Sequence, residues 1–182
     1  MYQRVIVTGS IAAGKTTLAR TLAGLLGGSH VEMDGLRHGP NWVDTPDDVF
    51  REQVSRAISG DVWVVDSDYR VVRDIVWPRA DTLVWLDYKF RATLPRLLKR
   101  TFRRCITREE LWNSNRETFY QHLFTRESIL MEAVRKRDSA RTVYEALLQR
   151  PEHAHVRVVR MPSPSATRDW LSGISSHDVA VP

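Results

Sequence analysis

The chain has 182 residues, 42% of them hydrophobic, with a formal net charge of +5 and a pI near 9.7, which suits one globular domain with a real core. No apolar run approaches the roughly 18 residues a membrane helix needs, no charged-then-apolar leader opens the sequence, and the single cysteine, Cys105, excludes an internal disulfide. A cytoplasmic protein without a membrane partner is expected, and the basic excess favours anionic partners, nucleotides as well as nucleic acid.

Val5-Ile6-Val7 is a run of β-formers and predicts the first strand. Gly9-Ser10-Ile11-Ala12-Ala13-Gly14-Lys15-Thr16, with Thr17 behind it, fits G-x-x-x-x-G-K-[ST]. Leu18, Leu22 and Leu25 then recur at helical spacing until Gly27-Gly28. Strand, glycine loop and helix form the context in which such an octet cradles phosphate. Gly9 and Gly14 let the backbone turn successive N–H groups inward, and the helix adds the positive end of its dipole. Residues 9–17 are therefore expected to bind a triphosphate, with Lys15 on its β- and γ-phosphates and the Thr16 hydroxyl on Mg²⁺.

Further along, His30-Val31-Glu32-Met33-Asp34 reads as a second strand ending in a carboxylate, and Gly35 to Pro46 as a turn-rich loop. Thr45-Pro46-Asp47-Asp48 predicts a helix start with Thr45 as the cap and Pro46 in the first position. Val49, Phe50, Val54, Ala57 and Ile58 supply its apolar face. Val62 to Val65 reads as a strand buried on both faces and ending in Asp66, and Thr82 to Leu86 as another ending in Asp87. Between them Val71 to Trp77 is a brief helical piece closed by Pro78.

From about Thr93 a helix is expected, with Leu94, Leu97, Leu98, Phe102 and Cys105 on one face and Arg96, Arg100, Arg103 and Arg104 on another. Residues 106–126 turn polar and aromatic and read as a lid. A long helix is expected from about Arg126 to Gln149, a last strand at His155 to Val159 and a short helix at Ser165 to Leu171, leaving 172–182 as a loose tail. Strands alternate with helices throughout. This predicts an α/β domain over residues 1–171, with a parallel sheet covered on both faces and ligands at the carboxyl ends of the strands. Those ends carry Gly9, Asp34, Asp66, Asp87 and Arg160.

The phosphate loop, His30 to Asp34, Gly39-Pro40-Asn41-Trp42, Val64 to Tyr69, Val72 to Asp81, Leu111 to Glu117 and Ser128-Ile129-Leu130 together resemble the P-loop nucleoside and nucleotide kinase superfamily, the adenylate-kinase-like proteins. More narrowly they resemble the branch known as topology modulation proteins. The resemblance runs over roughly residues 3–171. It implies a three-layer P-loop NTPase fold with a five-stranded parallel sheet, ATP or GTP with Mg²⁺ on the phosphate loop, and an arginine-bearing helical lid. Two positions depart from the pattern. Ala12 stands where these kinases usually have glycine, which is acceptable if its φ stays negative. Asp66-Ser67-Asp68-Tyr69 stands where relatives usually show Asp-Gly-Asn-Tyr, so that Asp68 adds a carboxylate near the expected metal.

Asp66, at the end of a central strand, is the candidate Mg²⁺ ligand beside Thr16, with capping of the next turn as its alternative role. Asp34 is a candidate base for an attacking hydroxyl or a group that binds the acceptor, with loop capping as the alternative. Glu32 points the other way along its strand. From Arg91 to Arg108 the sequence holds seven cations and no acid. Arg96, Arg100 and Arg103/Arg104 share one stripe of that helix, and Arg100 and Arg104, with Arg116 behind them, are candidates to balance charge on a moving phosphoryl group. Trp42, Trp112 and Tyr69 can stack on a ring or fill a core, and the histidines show no zinc-ligand spacing.

The function expected is transfer of the γ-phosphate of MgATP to a small acceptor, a nucleotide, a nucleoside or another hydroxylated molecule, lodged between Asp34, the loop 35–46 and Asp66. The competing class is a nucleotide-dependent binding or regulatory protein acting on DNA, although no helix-turn-helix, finger or stacking platform is visible. A monomer or homodimer is expected.

Overall fold

The structure, a computed structural model, describes residues 2–107, 112–115 and 139–174. Among them five strands, β1 (Arg4–Gly9), β2 (Ser29–Glu32), β3 (Trp63–Asp66), β4 (Thr82–Leu86) and β5 (Arg157–Met161), form one all-parallel sheet in the order β2-β3-β1-β4-β5. The helices are α1 (Lys15–Leu26), α2 (Met33–Arg37), α3 (Asp47–Ala57), α4 (Arg73–Val76), α5 (Phe90–Thr107), α6 (Ser139–Leu148) and α7 (Pro164–Ser172).

The strand sequences explain why both faces of the sheet are dry. Side chains alternate across a strand, and here both alternating sets are apolar. Ile6, Trp63, Val65, Leu83 and Trp85 face one way and pack with Phe50 and Val54 of α3, Trp77, and Tyr144 and Leu147 of α6. Val5, Val7, Val64, Val84 and Leu86 face the other way onto Leu18, Leu22 and Leu26 of α1. Each large side chain buried this way contributes about 1.5–3 kcal/mol, and the central strands β1, β3 and β4 hold most of them. The register sets Val7 opposite Asp66 and Glu32 opposite Asp66, so the ends of β1, β2 and β3 lie side by side.

Several expected boundaries move. β2 stops at Glu32, and Asp34 lies in the first turn of α2 instead of at a strand end. The reason is Asp66, whose Oδ1 accepts the Met33 N–H at 3.0 Å and so opens a helix there. Thr45 does not cap α3: its hydroxyl donates to Leu36 O at 2.8 Å, and Pro46 precedes the helix without a side-chain cap. The last strand runs two residues later than expected, over Arg157–Met161, because His153 to Val156 are spent in a turn that buries Val156. The last helix runs over Pro164–Ser172, with the Ser163 hydroxyl accepting the Ala166 N–H.

The helix expected from Thr93 begins at Phe90 and carries Pro95 within it. Its expected apolar face splits: Leu97 is buried, whereas Leu98 and Phe102 are 46% and 61% exposed. In α1 Leu26, not Leu25, enters the core. Of the expected lid at 106–126, residues 108–111 and 116–126 lie outside the described residues, as does the part of the expected helix 126–149 before Ser139. Residues 175–182 of the expected tail lie outside them too.

Candidate functional site

The loop between β1 and α1 is built for an anion. Gly9, at φ 151°, runs so close to β4 that a Cβ there would stand 2.7 Å from Leu86 O. Gly14, at φ 95°, precedes α1 with no side-chain cap, and the space around its Cα is open. The first N–H groups of α1 thus point out of the loop with no intrahelical acceptor, at the positive end of the helix dipole. The Ser10 hydroxyl is buried and, among the described residues, without a hydrogen-bond partner, a polar orphan that a bound phosphate would satisfy. Ala12 contradicts the condition set for it, since it sits at φ 60° in the left-handed region where a Cβ is strained.

Lys15 folds back over the same loop, its Nζ donating to Gly9 O and Ser10 O at 3.2 Å each. Burial lowers its pKa from the ordinary lysine value. The carboxylates of Asp34 and Asp66 act against that shift, and the guanidinium of Arg100 adds to it. Lys15, Asp34, Asp66 and Arg100 are therefore brought within one electrostatic neighbourhood, although they come from α1, α2, β3 and α5.

Asp66 is 2% exposed. Its Oδ1 is engaged by Met33, and its Oδ2 lies 3.6 Å from His30 Nε2. Asp66 thus caps the start of α2 instead of the turn that follows it, and Oδ2 keeps lone pairs for a further ligand. Thr16, at the start of α1, is half-buried. Among the described residues no cluster of three or more His, Cys, Asp or Glu is built for a metal ion. The donor set present, one hydroxyl and one carboxylate beside a phosphate cradle, fits Mg²⁺, which keeps waters and shares phosphate oxygens in place of a full protein cage. Glu32, opposite Asp66 in the register, pairs with Arg20 at 3.8 Å.

Asp34 accepts a 2.7 Å hydrogen bond from the Tyr69 hydroxyl. Burial, followed by the adjacent Asp34 carboxylate, pushes the Tyr69 phenol far above its ordinary value, so it stays protonated and donates. Tyr69, expected to stack on a ring or fill a core, instead holds Asp34; its place three residues after the end of β3 was the available signal. Asp68 proves structural. It is held by Arg73, at 2.9 and 3.0 Å from Nε and 2.7 Å from NH2, and by Trp77 Nε1 at 3.0 Å, which leaves it poorly placed to ligate a metal. Asp87 and Arg160 bind each other at 2.6 Å, Arg141 joins Asp87 at 2.6 Å, and Arg160 stacks 4.5 Å over Trp85.

On α5, Arg100 and Arg104 are half-buried while Arg96 and Arg103 are exposed. Arg116 lies outside the described residues. The described part of the expected lid does something the sequence did not disclose. Asn115, 4% exposed, accepts the Trp42 N–H at 2.9 Å and donates to Gly39 O at 2.9 Å. Asn113 donates to His38 O at 2.5 Å, and Trp112 covers Gly35 so tightly that a Cβ there would meet its ring at 2.8 Å. Residues 112–115 thus clamp the loop 35–43. Trp42 stands edge-on to His38 with ring centres 5.7 Å apart, so both tryptophans serve this clamp.

No family model and no curated protein sequence matches the chain. Solved structures do. A shikimate kinase from Acinetobacter baumannii, in complex with shikimate, superposes with a TM-score of 0.53 at 18% identity, covering 98% of this chain and 93% of that one. A gluconokinase from Sinorhizobium meliloti 1021 superposes with a TM-score of 0.51 at 17% identity, covering 94% and 90%. At such identities the likeness is one of fold: a five-stranded all-parallel sheet between helices, shared with P-loop kinases.

Proposed function

We propose that this chain is a phosphotransferase that moves the γ-phosphate of ATP to the hydroxyl of a small acceptor. The observation that carries the reading is geometric: Lys15 Nζ lies on Gly9 O and Ser10 O of the phosphate loop, and β1, which leads into that loop, pairs with β3, whose last residue Asp66 accepts the Met33 N–H at the start of the helix that holds Asp34. A binding protein needs the loop, whereas transfer needs a carboxylate and a second cation at its mouth. That kinases share the fold supports the same class.

In this reading the backbone of residues 9–17 holds the phosphates, and Lys15 swings from Gly9 O and Ser10 O onto them. Thr16 and Asp66 would hold Mg²⁺, which supplies charge neutralisation when bound with ATP. Asp34, oriented by Tyr69, accepts the proton of the acceptor hydroxyl as its oxygen bonds to the γ-phosphorus. The bridging P–O bond breaks, and ADP leaves with that oxygen. Arg100 balances the charge spread over the moving group, with Arg104 and Arg116 as further candidates. The loop 35–46 walls the acceptor.

The test is purified protein with ATP labelled at the γ-phosphate, Mg²⁺ and a panel of nucleotides, nucleosides and hydroxylated metabolites, beside Lys15→Ala. Transfer should fall by about 10²–10³-fold in the variant, as when one oxyanion-stabilising donor is removed. If no acceptor is labelled and the variant hydrolyses ATP as slowly as the parent, the phosphotransferase reading is lost. Asp34→Asn separates the base from the rest: a loss of about 10²–10⁴-fold in kcat is expected of a general base, and unchanged turnover removes the assignment.

A further inference from the structure

The acceptor half of the site carries a charge pattern that bears on what it can take. Arg37 follows Asp34 by one turn of α2, where a free guanidinium would be well placed to clamp a carboxylate or phosphate. It is not free. NH1 donates to Asp47 Oδ1 at 2.7 Å and to Thr45 O at 3.1 Å, and NH2 donates to Asp44 Oδ2 at 3.2 Å. The plane of the group lies 5.4 Å over the Phe50 ring. The Asp47 hydrogen bond, with Asp44 beside it, holds Arg37 above its ordinary value.

This cluster adjoins the reacting carboxylate. Phe50 meets Tyr69 edge-on with ring centres 5.5 Å apart, and Tyr69 donates to Asp34. Around that chain of contacts stand three carboxylates, Asp34, Asp44 and Asp47; Arg37 pairs with the last two, and His38 Nδ1 lies 3.0 Å from Asp44 Oδ1. Asp44 and Asp47 are 54% and 62% exposed, so their charge reaches the solvent in front of the loop. Neighbouring arginines are used the same way, Arg51 on Asp74 and Arg73 on Asp68. Among the described residues of this half, Arg70 is exposed and makes no ion pair.

We infer that the acceptor is a hydroxyl compound without negative charge, a polyol or nucleoside in preference to a carboxylate or phosphate ester, and that Arg37 builds the loop instead of clamping an anion. This rests on the phosphotransferase reading. A planar guanidinium already engaged by two carboxylates has few donors left for an anion. An anionic acceptor would find the one guanidinium of α2 already engaged and would approach the exposed carboxylates Asp44 and Asp47, a selection against the wrong partner. A neutral hydroxyl meets no such penalty: it donates its proton to Asp34 as its oxygen takes the phosphoryl group and ADP departs.

The experiment uses matched pairs that differ in charge, glucitol with gluconate and adenosine with AMP, within a wider panel assembled the same way, and ATP labelled at the γ-phosphate. The best acceptor is expected to be uncharged and to exceed its anionic counterpart by about tenfold or more in kcat/KM, a factor worth about 1.4 kcal/mol. The double variant Asp44→Asn/Asp47→Asn, which releases Arg37, should narrow or invert that ratio. An anionic best acceptor for the wild-type chain overturns the inference while leaving the phosphotransferase standing. A ratio unmoved in a folded, ATP-binding double variant overturns the role given to the Arg37 pairs. Absence of label in every compound, with ATP still bound, removes the phosphotransferase reading and this inference with it.

Discussion

Two residues of the site pay for departing from a glycine pattern. Ala12 and Ser67, at φ 60° and 85°, both lie in the left-handed region, and both stand where the kinases that the sequence resembles usually carry glycine. The left-handed conformation costs an L-residue about 1–2 kcal/mol, and glycine gives back part of that through its floppier unfolded chain. Ala12→Gly and Ser67→Gly should therefore each raise stability by about 0.5–1 kcal/mol, read as a higher denaturant midpoint with unchanged slope. A lower midpoint in both would refute the strain. Lys15 gives a second prediction. Its folded pKa lies below the ordinary 10.5, so the penalty of holding the ammonium is full below the folded pKa and fades as pH rises towards the ordinary value. Phosphate restores the ammonium, so nucleotide affinity should fall as pH climbs through the lowered pKa, with proton uptake on binding visible in buffers of different ionisation enthalpy. Lys15→Arg should abolish that decline because arginine stays charged. Affinity flat up to pH 10.5, with no proton uptake, would contradict the shift.

At the scale of elements, the loop 35–43 and residues 112–115 form one unit. Asn41, Trp42 and Asn113 all take left-handed backbone, at φ 57°, 58° and 54°, and for a residue as bulky as Trp42 that conformation persists only if its surroundings enforce it. Asn115 is the enforcing group, through the Trp42 N–H and Gly39 O. Asn115→Ala should raise the KM for the acceptor several-fold, about the effect of losing two buried hydrogen bonds at roughly 0.5–1.5 kcal/mol each, and leave the KM for ATP as it was. Gly35→Ala should act likewise, since its Cβ would collide with Trp112 at 2.8 Å. Equal rises in both KM values would mean that the clamp supports the whole site instead of the acceptor half.

At the scale of the molecule, the C-terminal part of the chain is tied to the strand that leads into the phosphate loop. Thr8, 1% exposed and one residue before Gly9, donates to the Tyr144 hydroxyl of α6, while Asp87 at the end of β4 gathers Arg141 of α6 and Arg160 of β5. Tyr144→Phe leaves the Thr8 hydroxyl buried and unpartnered and should cost about 1–3 kcal/mol, whereas Thr8→Val combined with Tyr144→Phe should recover part of that loss. A double variant no more stable than Tyr144→Phe would show that the bond contributes little. Among the described residues no helix is long and apolar enough to cross a membrane.

Much of this was legible in the residues themselves. The glycine octet between a strand and a helix, the continuous apolar runs at 62–65 and 82–86, and the alternation of elements each report a local rule, backbone conformation or side-chain period, that holds wherever the segment ends up. The strand, the glycine loop and the helix were therefore readable. The surroundings of the loop 35–46 were not, because they depend on which charged groups meet. Nothing in the sequence pairs Arg37 with Asp44 and Asp47, and Asp68 reads as an added carboxylate near the expected metal until Arg73 and Trp77 enclose it. Asp34 reads as a strand end until Asp66 starts a helix beneath it. Ala12 shows the same limit in the backbone, since its φ is set by the loop around it. Pairing between distant charges and the dihedrals imposed by packing are decided only when the chain closes on itself.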